Sequence, residues 1–201
     1  MLRLHDYLSS GNGYKVRLLL TQLGVPFERI EYDIVQGVTH QPEFLAINAN
    51  GKIPVLELED GTFLCESNAI LFYLAEGTAF LPEERLERAR VLQWMCFEQY
   101  SHEPNIATVR HWINHLEMTE LQRAMLPQKR EAGRAALQVM EGHLAGRDYF
   151  VGAGYTIADI ALYAYTHVAH EGGFDLEEFP AVREWLGRVS AQPGHIPITQ
   201  S

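Results

Sequence analysis

The sequence predicts a small α/β domain followed by an all-helical one. Three observations carry this reading. Strand-like and helix-like hydrophobic periods interleave over about the first eighty residues, helical periods alone fill the remainder, and a Gly/Pro-punctuated stretch from Gly77 to Pro82 separates the two. The expected division is residues 1–77, a linker over 78–83, and a helical domain over 84–201.

The elements follow in order. Residues 2–7 alternate as a short strand, and Ser9-Ser10-Gly11-Asn12-Gly13 is a turn of small residues. Val16, Leu19, Leu20 and Leu23 then repeat at helical spacing, with Gly24 as a natural stop. After Pro26, Phe27 to Tyr32 reads as a second strand, Pro42 to Ile47 as a short helix, and Asn48-Ala49-Asn50-Gly51 as its exit turn. A strand over 54–58, a turn at Glu59-Asp60-Gly61, a strand over 62–65 and a helix over 67–76 complete a β-α-β-α-β-β-α order. Beyond the linker, helical periods cover 84–116, 119–145, 156–171 and 180–191. Thr156 caps the third of these, with Asp159 reaching back in a capping box, and Ile157, Ile160, Ala161 and Ala164 form its buried stripe.

Composition limits the partners. With 201 residues, 47% of them hydrophobic, the chain builds a true core. A net charge of −10 disfavours nucleic acid and anionic membrane surfaces. No apolar run approaches a membrane span, and the N-terminus turns polar too soon for a signal peptide. Cys65 and Cys96 make no CxxC or zinc spacing, which fits a reducing cytoplasm.

Two segments carry chemistry. In Lys52-Ile53-Pro54-Val55, proline stands where a strand begins, the position a residue without an N–H tolerates, and the Ile53-Pro54 bond is open to the cis form. A cis bend turns the Ile53 N–H and C=O toward an extended ligand. At Glu66-Ser67, the serine is placed to N-cap the following helix, whose N-terminus attracts a carboxylate while the neighbouring glutamate attracts an ammonium. Together they form a receptor for the amino-acid end of a small peptide.

The order of elements, with a proline opening the third strand, resembles the thioredoxin fold. With the helical second part, the whole chain resembles the soluble glutathione transferases. Tyr7-Leu-Ser-Ser-Gly-Asn-Gly-Tyr-Lys-Val-Arg, Asn50-Gly-Lys-Ile-Pro-Val-Leu, Glu66-Ser-Asn-Ala-Ile-Leu-Phe-Tyr-Leu and Tyr155-Thr-Ile-Ala-Asp carry the likeness through their order and spacing. The resemblance implies a cytoplasmic homodimer with glutathione as cosubstrate and no metal. It also implies an electrophile pocket lined by the helices after residue 84, for which Tyr100, His102, Arg110, His111 and Trp112 are candidates.

Conjugation needs a thiolate. A free thiol with a pKa of about 8.5 is only a few per cent ionised at neutral pH, and lowering that value by about two units takes roughly 2.7 kcal/mol of preferential thiolate stabilisation. A hydroxyl or amide N–H aimed at the sulfur supplies it. Counting back from Gly24, Ser10 falls where theta-like members carry their serine, and Ser10-x-Asn12 matches the hydroxyl-x-Asn spacing of nu-like bacterial members. Ser10 ranks first as thiol activator, Asn12 as co-donor, Tyr7 third and Ser9 last. The same resemblance assigns the Ile53 backbone, with Pro54, to the cysteinyl part of glutathione, and Glu66 and Ser67 to its γ-glutamyl end. Lys52 meets the glycyl carboxylate, with Thr39 and His40 near the same point.

Other signals carry less. His111 and His115 are spaced for a metal but lack a third ligand, and His167 with His170 reads the same way. Gly11-Asn-Gly lacks the lysine-hydroxyl pair of a phosphate loop. The cysteines read as small buried hydrophobes. Two other functions remain: a glutathione-dependent peroxidase or disulfide reductase on the same scaffold, and a non-enzymatic protein-interaction member.

Overall fold

The computed structural model describes residues 1–115 and 117–200, and for His115 the backbone alone. The chain forms two compact units: Met1–Gly77 together with the segment from Pro193 onward, and Thr78–Gln192. The sequence reading assigned the whole of 84–201 to the helical part. The terminal segment instead joins the first unit because Tyr14 and Arg17 hold its carbonyls.

The first unit is a four-stranded mixed sheet with thioredoxin-like connections. Strand β1 (Leu2–Asp6) pairs parallel with β2 (Phe27–Glu31) and antiparallel with β3 (Val55–Glu57), and β3 pairs antiparallel with β4 (Phe63–Cys65), giving the order β2-β1-β3-β4. Leu4 and Leu56 of one sheet face meet Val16 and Leu20 of helix α1 (Gly11–Leu23) and Ile70 of helix α3 (Ser67–Ala75), all fully buried. Each such side chain contributes about 1.5–3 kcal/mol by leaving water. Successive strand residues point to opposite faces. His5 therefore lies on the other side, between Tyr32 at 3.0 Å and Glu57 at 3.1 Å, with Phe44 of helix α2 (Pro42–Leu45) packed edge-on to Tyr32. Gly24 ends α1 in the left-handed conformation, as expected. Two three-residue 3-10 turns, Ile34–Gln36 and Val38–His40, are too short to leave a periodic signal and were not expected.

The second unit contains α4 (Arg85–Phe97), a π-helical turn (Glu98–His102), α5 (Glu103–His115), α6 (Glu120–Leu144), α7 (Ile157–Thr166) and α8 (Pro180–Ser190). The π turn keeps α4 and α5 in one run, which is why the sequence reads as a single helix there. The span expected over 156–171 is shorter: α7 ends at Thr166, and a 3-10 turn, Ala169–Gly172, follows. The capping box at Thr156 is present, and Asp159 Oδ2 accepts from the Thr156 N–H at 2.9 Å. Asp159 Oδ1 also accepts from the Phe150 N–H and from Trp185 Nε1, so this fully buried carboxylate ties three parts of the helical core. Burial raises its pKa to about 6. Among the described residues no helix is long and apolar enough to cross a membrane.

Candidate active site

The strand registers collect the chemistry-bearing segments. His5, Val55 and Cys65 form one row across β1, β3 and β4. The turn carrying Ser10 follows β1 beyond that row, Ile53-Pro54 precedes β3, and Glu66-Ser67 follows β4. All three segments thus emerge at the same end of the sheet.

Ser10 is the N-cap of α1, and its hydroxyl accepts from the Gly13 N–H at 3.3 Å. A hydroxyl that accepts one bond still has its own proton to donate. The Ser10 N–H is anchored on the Tyr7 carbonyl at 2.8 Å. Asn12 sits in the first turn, half-buried, and its Oδ1 accepts from the Ser67 hydroxyl at 3.2 Å. That bond joins the proposed thiol-activating turn to the proposed amino-acid receptor.

At α3 the expectation needs correcting. The N-cap is Glu66, at φ 68°, and Ser67 is the first helical residue, with its hydroxyl directed to Asn12 rather than to its own helix. A non-glycine residue at positive φ and extended ψ is strained by roughly 1–3 kcal/mol. Glu66 itself is exposed, whereas Ser67 is 5% exposed. Lys15 Nζ donates to the Ser67 hydroxyl at 3.4 Å from a fully buried position.

The Ile53-Pro54 bond is cis, and among the described residues none hydrogen-bonds the Ile53 backbone. Its approach is set by Asn48, whose Nδ2 donates to the Lys52 carbonyl at 2.7 Å while its Oδ1 accepts from the Asn50 N–H at 3.0 Å. Lys52 is exposed, and His40 lies against the same turn: a Cβ placed on Gly51 would fall 2.6 Å from His40 Nδ1. Thr39, beside His40, is buried, 3% exposed.

Three residues were missed from the sequence: Asn48, Lys15 and Arg17. Helix α1 is buried on nearly every side, so cations within it need internal partners. Arg17 Nε lies 2.9 Å from Asp6 Oδ2, Nη2 donates to the Leu8 carbonyl at 2.6 Å, and Nη1 donates to the carbonyls of Ile198, at 3.0 Å, and Gln200. One side chain thus holds the β1–α1 turn, two residues before Ser10, to the C-terminal segment. An all-round buried helix containing Lys and Arg was the available signal.

The second-unit candidates divide. His102 is fully buried and bonded to Thr166 Oγ1 at 2.9 Å, and Arg110 pairs with Glu171 at 2.7 Å, so both serve the helical core. Tyr100 is exposed, and His111 and Trp112 are half-buried. The side chain of His115 lies outside the described residues, and with it the His111–His115 pair. His167 stacks on Tyr163 at 4.6 Å, while His170 is exposed. Among the described residues no group of three His, Cys, Asp or Glu is arranged to hold a metal ion. Cys65 is half-buried, and burial together with Glu66 pushes its thiol up, away from a reactive thiolate. Cys96 is exposed on α4, contrary to the expectation of a buried hydrophobe.

Comparisons with known proteins agree with this geometry. Residues 1–76 match the glutathione S-transferase N-terminal domain, and residues 94–193 match the glutathione S-transferase C-terminal domain. The chain is 33% identical to the disulfide-bond oxidoreductase YfcG of Escherichia coli strain K12, over 90% of this chain and 87% of that protein. A crystal structure of a glutathione S-transferase from Pseudomonas fluorescens Pf-5 superposes with a TM-score of 0.96 at 51% identity, covering 99% of each chain. A glutathione transferase family member from the same strain, crystallised with two glutathione bound, superposes with a TM-score of 0.83 at 28% identity, over 96% of this chain and 89% of that one. With both domains matched and the fold shared along its length, the chain belongs to the glutathione S-transferase family.

Proposed function

We propose that this protein binds glutathione at the shared end of the sheet and activates its thiol for attack on an electrophilic small molecule. The observation that carries the reading is the 3.2 Å hydrogen bond from Ser67 to Asn12, which links the residue suited to a γ-glutamyl carboxylate with a donor suited to the sulfur. The N-terminus of the nine-residue helix α3 favours the carboxylate, and exposed Glu66 favours the ammonium. The Ile53 N–H and C=O pair with the cysteinyl backbone, and Lys52 with His40 receives the glycyl carboxylate. Ser10 donates its hydroxyl proton to the sulfur, with Asn12 as a second donor in the nu-like spacing. Both act by stabilising the thiolate over the thiol, and neither needs to ionise.

In the transferase reaction the thiolate forms a bond to an electrophilic carbon and the leaving group departs with the bonding electron pair. The protein works in the cytoplasm as a homodimer in this reading. Titrating the thiolate absorbance of bound glutathione tests the central step. Ser10→Ala should raise the thiol pKa while leaving glutathione affinity nearly unchanged; an unaltered pKa removes Ser10 from the role.

A second reading is favoured by the 33% identical relative named as a disulfide-bond oxidoreductase. There the glutathione thiolate attacks a disulfide sulfur, expelling one thiolate, and a second glutathione thiolate resolves the mixed disulfide. No protein cysteine is required, consistent with a Cys65 thiol held away from ionisation. Turnover of a chloro-dinitro-arene against that of a small aliphatic disulfide separates the two readings. Absence of binding at millimolar glutathione rejects both in favour of an interaction module.

A further inference from the structure

Lys15, Ser67 and Asn12 form a short chain of polar groups running from a cation to an amide oxygen. Lys15 is fully buried and its Nζ lies 3.4 Å from Ser67 Oγ. An ammonium has protons to give and no lone pair to offer, so Ser67 Oγ is the acceptor of that bond. The Ser67 proton goes to its other neighbour, Asn12 Oδ1, at 3.2 Å, and a cation donating to Oγ favours this over a second donor at the same oxygen. An amide that spends its oxygen on Ser67 has its NH2 as the arm to present elsewhere. The polarity of the Asn12 amide is thus biased, through Ser67, by a lysine that is itself shielded from solvent.

We propose that Lys15 is a positioning residue for thiol activation: by favouring the direction Lys15→Ser67→Asn12, it biases Asn12 toward showing an N–H donor, and not its carbonyl, to the glutathione sulfur. This rests on the reading of Asn12 as a donor to the thiolate. Without the ammonium, the reversed arrangement, in which the Ser67 hydroxyl accepts from the Asn12 NH2, is no longer disfavoured. The carbonyl dipole would then face the sulfur and favour the protonated thiol. The relay also gives the γ-glutamyl receptor and the thiol activator a common element, so that α3 and the first turn of α1 are tuned together.

The test is a cycle of variants read by the thiolate titration of bound glutathione, with affinity for S-methylglutathione measured in parallel. Lys15→Met keeps a long apolar stem on a helix-compatible residue and removes every donor. It should lower the thiolate-to-thiol ratio at a given pH roughly tenfold, the scale of one hydrogen bond to an ion. Lys15→Arg retains a donor-only cation and should restore most of the ratio. In an Asn12→Ala background, Lys15→Met should add no further shift, because its effect passes through the amide. A full-sized shift in that background, or none in the Asn12-containing protein, overturns the proposal. If Lys15→Met does not fold, Ser67→Ala carries the same comparison against Asn12→Ala, with the same additivity overturning it, while Lys15→Arg should still titrate close to the parent. An Asn12→Ala protein whose bound thiol titrates as in the parent removes the underlying reading of Asn12, and this inference with it. An Asn12 effect without a Lys15 effect removes this inference alone.

Discussion

Arg17 Nε and Asp6 Oδ2 lie 2.9 Å apart, with neither side chain exposed to solvent. Asp6 closes β1, Arg17 lies in α1, and the guanidinium continues to the Leu8 carbonyl and to the C-terminal segment. Burial raises the Asp6 pKa to about 6, against the pull of Arg17. Removing one partner leaves the other charge buried alone. Arg17→Ala should therefore cost about 3–5 kcal/mol in urea unfolding. Arg17→Lys should recover only part of this, since an ammonium cannot span the same set of acceptors.

The same ion pair explains the second glycine of the turn. A Cβ on Gly13 would sit 1.5 Å from Asp6 Oδ1, inside any allowed contact. Gly13→Ala should destabilise the protein by at least about 2 kcal/mol despite the better helix propensity of alanine. Thermal unfolding against Gly142→Ala, where added bulk meets nothing within 4 Å, is the matched comparison.

Asp159 gives a pH dependence whose sign runs against ordinary acid denaturation. Its pKa is raised from 3.8 to about 6 in the folded state, so between those values the native protein holds more protons than the unfolded chain. The stabilising contribution is complete below about 3.8 and is lost as pH rises through about 6. Asp159→Asn abolishes this titration. The stability difference between parent and variant should widen in the parent's favour as pH falls from 7 to 5, by no more than about 1.4 kcal/mol per pH unit. Urea midpoints at the two pH values measure it, and a difference that stays constant or narrows would show that Asp159 does not titrate there.

The parts of this molecule legible in the sequence are those governed by local rules. Helix α1 stops at Gly24 because a left-handed residue ends it, and Thr156 with Asp159 caps α7 through neighbours three apart. The Pro54 position and the order of elements along the first part of the chain were readable for the same reason. Lys15 and Arg17 were not, because their partners, Ser67, Asp6 and Ile198, come from distant parts of the chain. Ser67 illustrates the limit within the site itself. Its type is right for a cap, yet the tertiary bond to Asn12 outcompetes the local one and leaves Glu66 in the cap position.

Under the proposed function, Asn48 offers a way to separate binding from activation. It is 8% exposed and fixes the Lys52 carbonyl, the last peptide before Ile53. Asn48→Ala should loosen this approach and weaken glutathione binding several-fold, while the bound thiol keeps its pKa because the first turn of α1 is untouched. Calorimetric affinity and the thiolate titration, made on the same sample, give the two readings. A pKa shift as large as that of Ser10→Ala would show that the Ile53 turn also acts on the sulfur.

Ser10 caps α1 and, in the proposed function, also donates to the sulfur, and one substitution removes both. As the N-cap of α1 it accepts from the Gly13 N–H, so Ser10→Ala should cost about 1 kcal/mol of stability whatever it does to the thiol. Ser10→Asp keeps an acceptor for the cap but supplies no proton, and its negative charge opposes a thiolate. Ser10→Thr keeps both cap and donor. The cap alone predicts that aspartate and threonine behave alike in thermal unfolding, while thiol activation predicts that they part sharply in the glutathione titration, with threonine close to the parent and aspartate raising the pKa beyond alanine. If aspartate and threonine gave the same thiol pKa, Ser10 would be a helix cap and nothing more, and the donor to the sulfur would have to be sought in Asn12 or Tyr7.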